Sequence, residues 1–226
     1  MIVWGVDGCT AGWIAVRIDG AGARDFTIVG RLSLLDVADA AMLYIDIPIG
    51  LPEAGYRGCD LAARALLKGA QSRVFLGLRR PLLNYVTDYA AANAWAKSDG
   101  KGLAKQSFNI LPKIAEVDAL ITPTRQTTFR ESHHELVFSR LNGGTPLVSK
   151  HRPQGLKARR DILVRYGFAK IDQWLGRLRG TGAKADDLLD ACVLAFAAHE
   201  AAQGSAQRVQ CPETRDSKGL RMEIWF

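Results

Sequence analysis

Ile2-Val3-Trp4-Gly5-Val6-Asp7-Gly8-Cys9-Thr10-Ala11-Gly12-Trp13-Ile14-Ala15-Val16-Arg17-Ile18 is the stretch whose reading decides the fold. Residues 2–6 form a β-rich run ending at Asp7, residues 8–12 supply a turn, and 13–18 resume the pattern, which predicts a β-hairpin. A second turn at 19–22 leads to a third strand over 26–32, and Ser33 is placed to cap a short helix through about residue 41. Residues 42–49 are apolar nearly throughout, as in a strand buried on both faces, and Pro48 and Gly50-Leu51-Pro52 end it.

Helical spacing dominates beyond that point. It predicts helices over 60–70, 82–97 and 106–120, the last kinked or restarted at Pro112, then short basic helices over 155–165 and 171–178 and a strong one over 184–203 closed by Gly204. Residues 135–141 alternate well enough for a fifth strand, and 222–226 could add an edge strand. The order predicts an α/β protein: one domain over 1–226 with a helical insertion around 55–130. Its mixed sheet has three antiparallel strands followed by parallel ones, with helices on both faces.

The 226 residues are 48% hydrophobic and 23% charged, which excludes disordered, collagenous and low-complexity chains. Asp7, Arg17 and Asp19 interrupt any signal-peptide core, and no apolar run approaches the ~18 residues of a membrane helix. Cys9, Cys59, Cys192 and Cys211 form no C-x-x-C pair, so a reducing cytoplasm is expected rather than a disulfide or zinc scaffold. The adjacent His133-His134 pair should not share one face of a strand or helix. The net charge is +7. Residues 140–184 carry eleven Lys+Arg and two acids, a net +9, which leaves −2 for the rest. That basic segment stands directly before an acidic helix start and is expected to meet a phosphate backbone through Lys157, Arg159 and Arg160, unless it is simply a solvated face.

Two acids ask for partners, because an unpaired buried carboxylate costs several kcal/mol, roughly. Asp7 follows five strand residues, and Asp46 interrupts an apolar run; parallel neighbouring strands would set them side by side. Asp187 and Asp190, three apart, project from one face of the late helix toward the same point. Such carboxylates repel one another unless divalent cations neutralise them, and oxygen ligands favour Mg²⁺ or Mn²⁺ over zinc. Asp7 before Gly8 also fits a turn, and Asp187 also fits a helix N-terminus.

These residues carry a resemblance. Gly5-Val6-Asp7-Gly8-Cys9-Thr10-Ala11-Gly12-Trp13, Asp46-Ile47-Pro48-Ile49-Gly50-Leu51-Pro52, Arg57-Gly58-Cys59-Asp60, Pro112-Lys113-Ile114-Ala115-Glu116-Val117-Asp118, Glu131-Ser132-His133-His134-Glu135 and Asp186-Asp187-Leu188-Leu189-Asp190-Ala191 resemble the signature blocks of the domain-of-unknown-function 429 family. That family is described as predicted nucleases with an RNase H-like fold. The resemblance implies a metal site with acids on the first strand, at the end of the fourth and on a late helix, here Asp7, Asp46, Asp187 and Asp190. The second acid is commonly Glu in the wider superfamily, whereas here it is the shorter Asp46. Relatives often have Pro where His134 stands, so the resemblance assigns neither histidine a role.

Three functional readings follow. The first is a metal-dependent nuclease that hydrolyses phosphodiester bonds, with Mg²⁺ or Mn²⁺ on the four acids and Lys113 and Lys184 joining the basic segment as phosphate ligands. The second is a non-catalytic nucleic-acid-binding or metal-binding scaffold with the same ligands. The third is an ATP-dependent phosphotransferase of the actin-like superfamily, suggested by Asp7-Gly8-Cys9-Thr10 but lacking a second glycine-rich phosphate loop. Residues 180–184 are not a P-loop, since the terminal Gly-Lys-Ser/Thr is missing.

Overall fold

The computed structural model describes residues 1–22 and 24–226. In chain order the elements are β1 (Ile2–Cys9), β2 (Gly12–Ile18), β3 (Arg24–Val29), β4 (Ala40–Ile45), α1 (Gly58–Leu66), α2 (Tyr89–Ser98), α3 (Lys105–Asn109), α4 (Leu111–Leu120), β5 (Phe129–Glu131), α5 (His134–Leu141), α6 (Pro153–Arg165), α7 (Ile171–Gly176) and α8 (Ala185–Ala202). They fall into two compact units, one of residues 1–46, 128–208 and 225–226, the other of 47–127 and 209–224. Residues 55–127 of the expected helical insertion lie in the second unit. Among the described residues no helix is long and apolar enough to cross a membrane.

The first unit is built on a mixed five-stranded sheet in the order β3-β2-β1-β4-β5. β1 pairs antiparallel with β2, and β2 with β3; β4 runs parallel to β1, and β5 to β4. The hairpin turn is tight because Gly12 adopts φ +127°, where a Cβ would stand 2.3 Å from the Val29 carbonyl oxygen. On one face Val3, Ile14, Val16, Ile18, Met42 and Tyr44 pack with residues from α5 to α8, and α8 lies closest. Gly5 permits that approach: a Cβ there would sit 2.0 Å from the Ala195 nitrogen and 2.3 Å from the Ala191 carbonyl oxygen. Helix backbone thus rests directly on strand backbone.

Several elements differ from the sequence reading. Residues 135–141 are not a strand but most of α5, with Glu135 to Ser139 buried in succession, a pattern no one-sided strand can give. The run is too short for its spacing to separate the two periods. The helix expected over 33–41 reduces to one 3-10 turn at Leu32–Leu34, because the chain must extend by Ala40 to pair with Ile2. β4 stops at Ile45, so Asp46 lies just past the strand rather than within it. The helix over 106–120 is broken into α3 and α4, with Pro112 in the first turn of α4. Residues 82–97 divide into a 3-10 stretch at Arg80–Tyr85 and α2. The expected terminal strand is reduced to isolated bridges of Trp225 with Ser132 and Arg208.

In the second unit Arg80 grips Asp118 through two hydrogen bonds of 3.1 Å and also donates to Asp216. The segment 209–224 is further tied in by Gln126, whose side chain bonds both the carbonyl and the N–H of Arg221.

Candidate functional site

Strand register brings the first two acids together. Gly5 pairs with Tyr44 and Val6 with Ile45, and the Asp46 N–H donates to the Val6 carbonyl at 3.1 Å. Continued two residues on, that register sets Asp46 beside Asp7, and the two-residue period turns both toward the α8 face. Asp7 sits inside β1 opposite Ile14, so it is a strand residue and not part of the turn.

α8 supplies Asp190, whose side chain is wholly buried. Lys150, from the loop before α6, donates to Asp190 Oδ2 at 2.6 Å and lies 3.7 Å from Asp186. His134, the first residue of α5, bonds Asp46 through Nδ1, and its Nε2 is 3.5 Å from Asp190 Oδ2. Asp190 Oδ1 is buried without a hydrogen-bond partner. A buried carboxylate oxygen with no donor is costly.

Each group's protonation follows from these neighbours. Burial, and then the charges of Asp190 and Asp46, push Asp7 well above the carboxylate range; Lys150 and His134 only partly offset them. Burial would also raise Asp46, but the charges of His134 and His133 and the His134 hydrogen bond bring it down to about 2. Burial alone would discharge His134, yet Asp190 and Asp46 override it and raise the imidazole well above its usual value. Lys150 is likewise raised, burial being outweighed by Asp190 and Asp7.

Asp187 stands at the margin of this centre. Its Oδ2 accepts the Lys184 N–H at 2.8 Å at the N-terminus of α8. Its carboxyl is raised chiefly by burial; Asp186 and Asp190 add to the effect, and Lys150 and the Lys184 N–H oppose it. The basic side chains also divide. Arg159 is a correction: it is wholly buried, bonded to Glu135 at 2.6 Å and to the Val148 and Gly155 carbonyls, so it offers nothing to a phosphate at the surface. Lys157 is exposed but paired with Asp161 at 2.6 Å, and Arg160 is held by Asp161 and Asp172. Lys184 is an exposed residue at the start of α8. Lys113 lies on α4, in the second unit, whereas every residue of the acidic centre belongs to the first.

Sequence reasoning missed His134 and Lys150. The histidine pair escaped because neighbours in one regular element point apart, but His133 caps α5 with extended backbone (φ −126°, ψ 111°) and His134 opens the helix. Across that junction the two rings stack at 5.2 Å. Among the described residues, the one His/Cys/Asp/Glu group whose potential ligand atoms all lie within 4.8 Å of one another is Asp46, His133 and His134. No local signal distinguished Lys150 from the other basic residues of 140–184.

The family model described as "Protein of unknown function (DUF429)" matches residues 5–215. No curated protein and no solved structure matches the chain.

Proposed function

The chain belongs to the DUF429 family, and from that premise and the buried acidic centre we propose that it is a divalent-metal-dependent phosphodiester hydrolase of nucleic acid, with an RNase H-like placement of its acids. The observation that supports this most is the gathering of Asp7, Asp46 and Asp190 from β1, the end of β4 and α8 around an unpartnered Asp190 oxygen. Mutual repulsion among these acids is the condition a divalent cation relieves, and oxygen donors suit Mg²⁺ or Mn²⁺. A cation bound there would lower the pKa of an attacking water and offset charge on the leaving oxygen. The carboxylates of Asp7, Asp46 and Asp190 would hold it, and Lys150 would present an ammonium to a phosphate oxygen. Lys184, exposed beside the acidic turn of α8, is placed for the backbone of a bound strand.

Replacing Asp7 or Asp46 by Asn should reduce Mn²⁺- or Mg²⁺-dependent cleavage of a DNA and RNA oligonucleotide panel by about a thousandfold, ~4 kcal/mol. A wild-type protein that cleaves none of the panel with either metal overturns the reading.

The non-catalytic scaffold has one observation in its favour. Lys150 and His134 already sit against Asp190 and Asp46, so the chain's own cations partly neutralise the acids. Binding of metal and nucleic acid without turnover would select that reading.

A further inference from the structure

The hydrolase reading leaves open which ion the centre takes, and the donor atoms themselves discriminate. Asp46, His133 and His134 bring two imidazoles and one carboxylate within 4.8 Å of one another. Mg²⁺ and Ca²⁺ are hard ions that seek oxygen, whereas imidazole nitrogen suits Mn²⁺, Fe²⁺ and Zn²⁺, with affinity rising toward the later metals. From this grouping, which rests on the hydrolase reading only for its biological use, we propose that Asp46, His133 and His134 form a binding site for a borderline first-row divalent ion of the Mn²⁺-to-Zn²⁺ class, selected over Mg²⁺.

Three features support the site. His134 stands 12% exposed and Asp46 20% exposed at the end of β4, so the donors are reachable yet held. His134 Nε2 also faces Asp190 Oδ2 at 3.5 Å, and the other oxygen of that wholly buried carboxylate lacks a partner. A second acid thus lies behind the imidazole to orient it, as carboxylates do for metal-bound histidines. His133 Nδ1 accepts the Glu135 N–H at 3.2 Å, long for a bond that an ion must displace or bypass.

The test is calorimetric titration of the full chain, stripped of metal, with Zn²⁺, Mn²⁺ and Mg²⁺. Wild type should bind one Zn²⁺, and Mn²⁺ more weakly, with Mg²⁺ at least about a hundredfold weaker than Zn²⁺. His134→Ala should weaken Zn²⁺ binding by tenfold or more, as should His133→Asn, which preserves a helix-capping side chain. His199→Ala, on α8, should leave binding unchanged. X-ray absorption of the Zn²⁺-loaded protein should show two imidazole nitrogens. Equal affinity for Mg²⁺ and Zn²⁺, or unaltered Zn²⁺ binding in both site variants with native circular dichroism, overturns the proposal. If the site binds Zn²⁺ as stated and no nucleic acid is cleaved, the hydrolase reading fails and this one stands. If Zn²⁺ binding is unaltered in both histidine variants while the wild type cleaves nucleic acid, this proposal fails and the hydrolase reading survives.

Discussion

Each unit gathers buried carboxylates and cations, and the two clusters solve opposite problems. In the second unit Asp216 is fully occupied: Oδ1 accepts the Lys218 and Leu220 N–H groups at 2.9 Å, and Oδ2 accepts Leu51 N–H at 3.1 Å and Arg80. Burial would raise the neighbouring Asp118, but hydrogen bonds from Arg80 and Lys218 hold it below its usual range. In the first unit Asp190 keeps a buried oxygen unpartnered, and Asp7 is pushed up by burial and by its fellow acids. A cluster that satisfies every acceptor welds loops together. One that leaves a buried acceptor unsatisfied retains its desolvation cost, and unsatisfied groups and perturbed pKa values cluster at functional sites.

The contrast can be broken most forcefully within the first unit itself. Glu135 and Arg159 form an ion pair sealed from solvent, with exposures of 3% and 0%, so Arg159→Met should leave a buried charge and lower stability by about 4 kcal/mol in a denaturant titration. A loss near zero would mean that the pair is not sealed. Next, Asp216→Ala should cost about 3 kcal/mol, since it removes one of the acceptors of Arg80 and strands three backbone N–H groups.

The acidic centre should behave in the reverse sense. Because Asp7 is raised in the folded state, its contribution is intact below the unfolded carboxyl pKa and is lost as pH climbs through the folded value. In chelated buffer Asp7→Asn should therefore raise the melting temperature at pH 7 by about 2–4 °C, the effect of ~1 kcal/mol in a chain this size, and by nothing at pH 3. Asp118 is lowered, so its contribution is present above the unfolded value and disappears as pH falls through the folded one. Asp118→Asn should accordingly lose its destabilising effect only in acid. The smallest effect belongs to the surface: with Lys157 and Arg160 already paired to acids, Lys157→Gln with Arg160→Gln should reduce the salt slope of oligonucleotide binding by about one or less, against about two for unpaired phosphate ligands.

The sheet was legible because its strands announce themselves. The hairpin over residues 2–18 and the apolar run ending near Asp46 carry period, composition and turn residues in one place, and α8 carries an apolar stripe long enough to set its phase. Residues 135–141 were illegible for want of length, since seven residues fit either period until packing buries five in a row. The site divides in the same way. Asp7, Asp46 and Asp190 were visible as charges where apolar patterning had no use for them. Arg159 was misjudged because a sum of charge along the chain does not know which side chains turn inward.

By itself, then, the sequence determined the alternation of strands and helices and three of the acids that meet, because hydrophobic periodicity and its violations are local properties. Only the tertiary structure decided that Arg159 is buried and that His134 and Lys150 stand against the carboxylates. Those outcomes depend on the close approach of α8 to β1 over Gly5 and on the junction of β5 with α5. Such contacts join residues tens of positions apart, where electrostatic energy depends on distance and burial and no spacing along the chain encodes either.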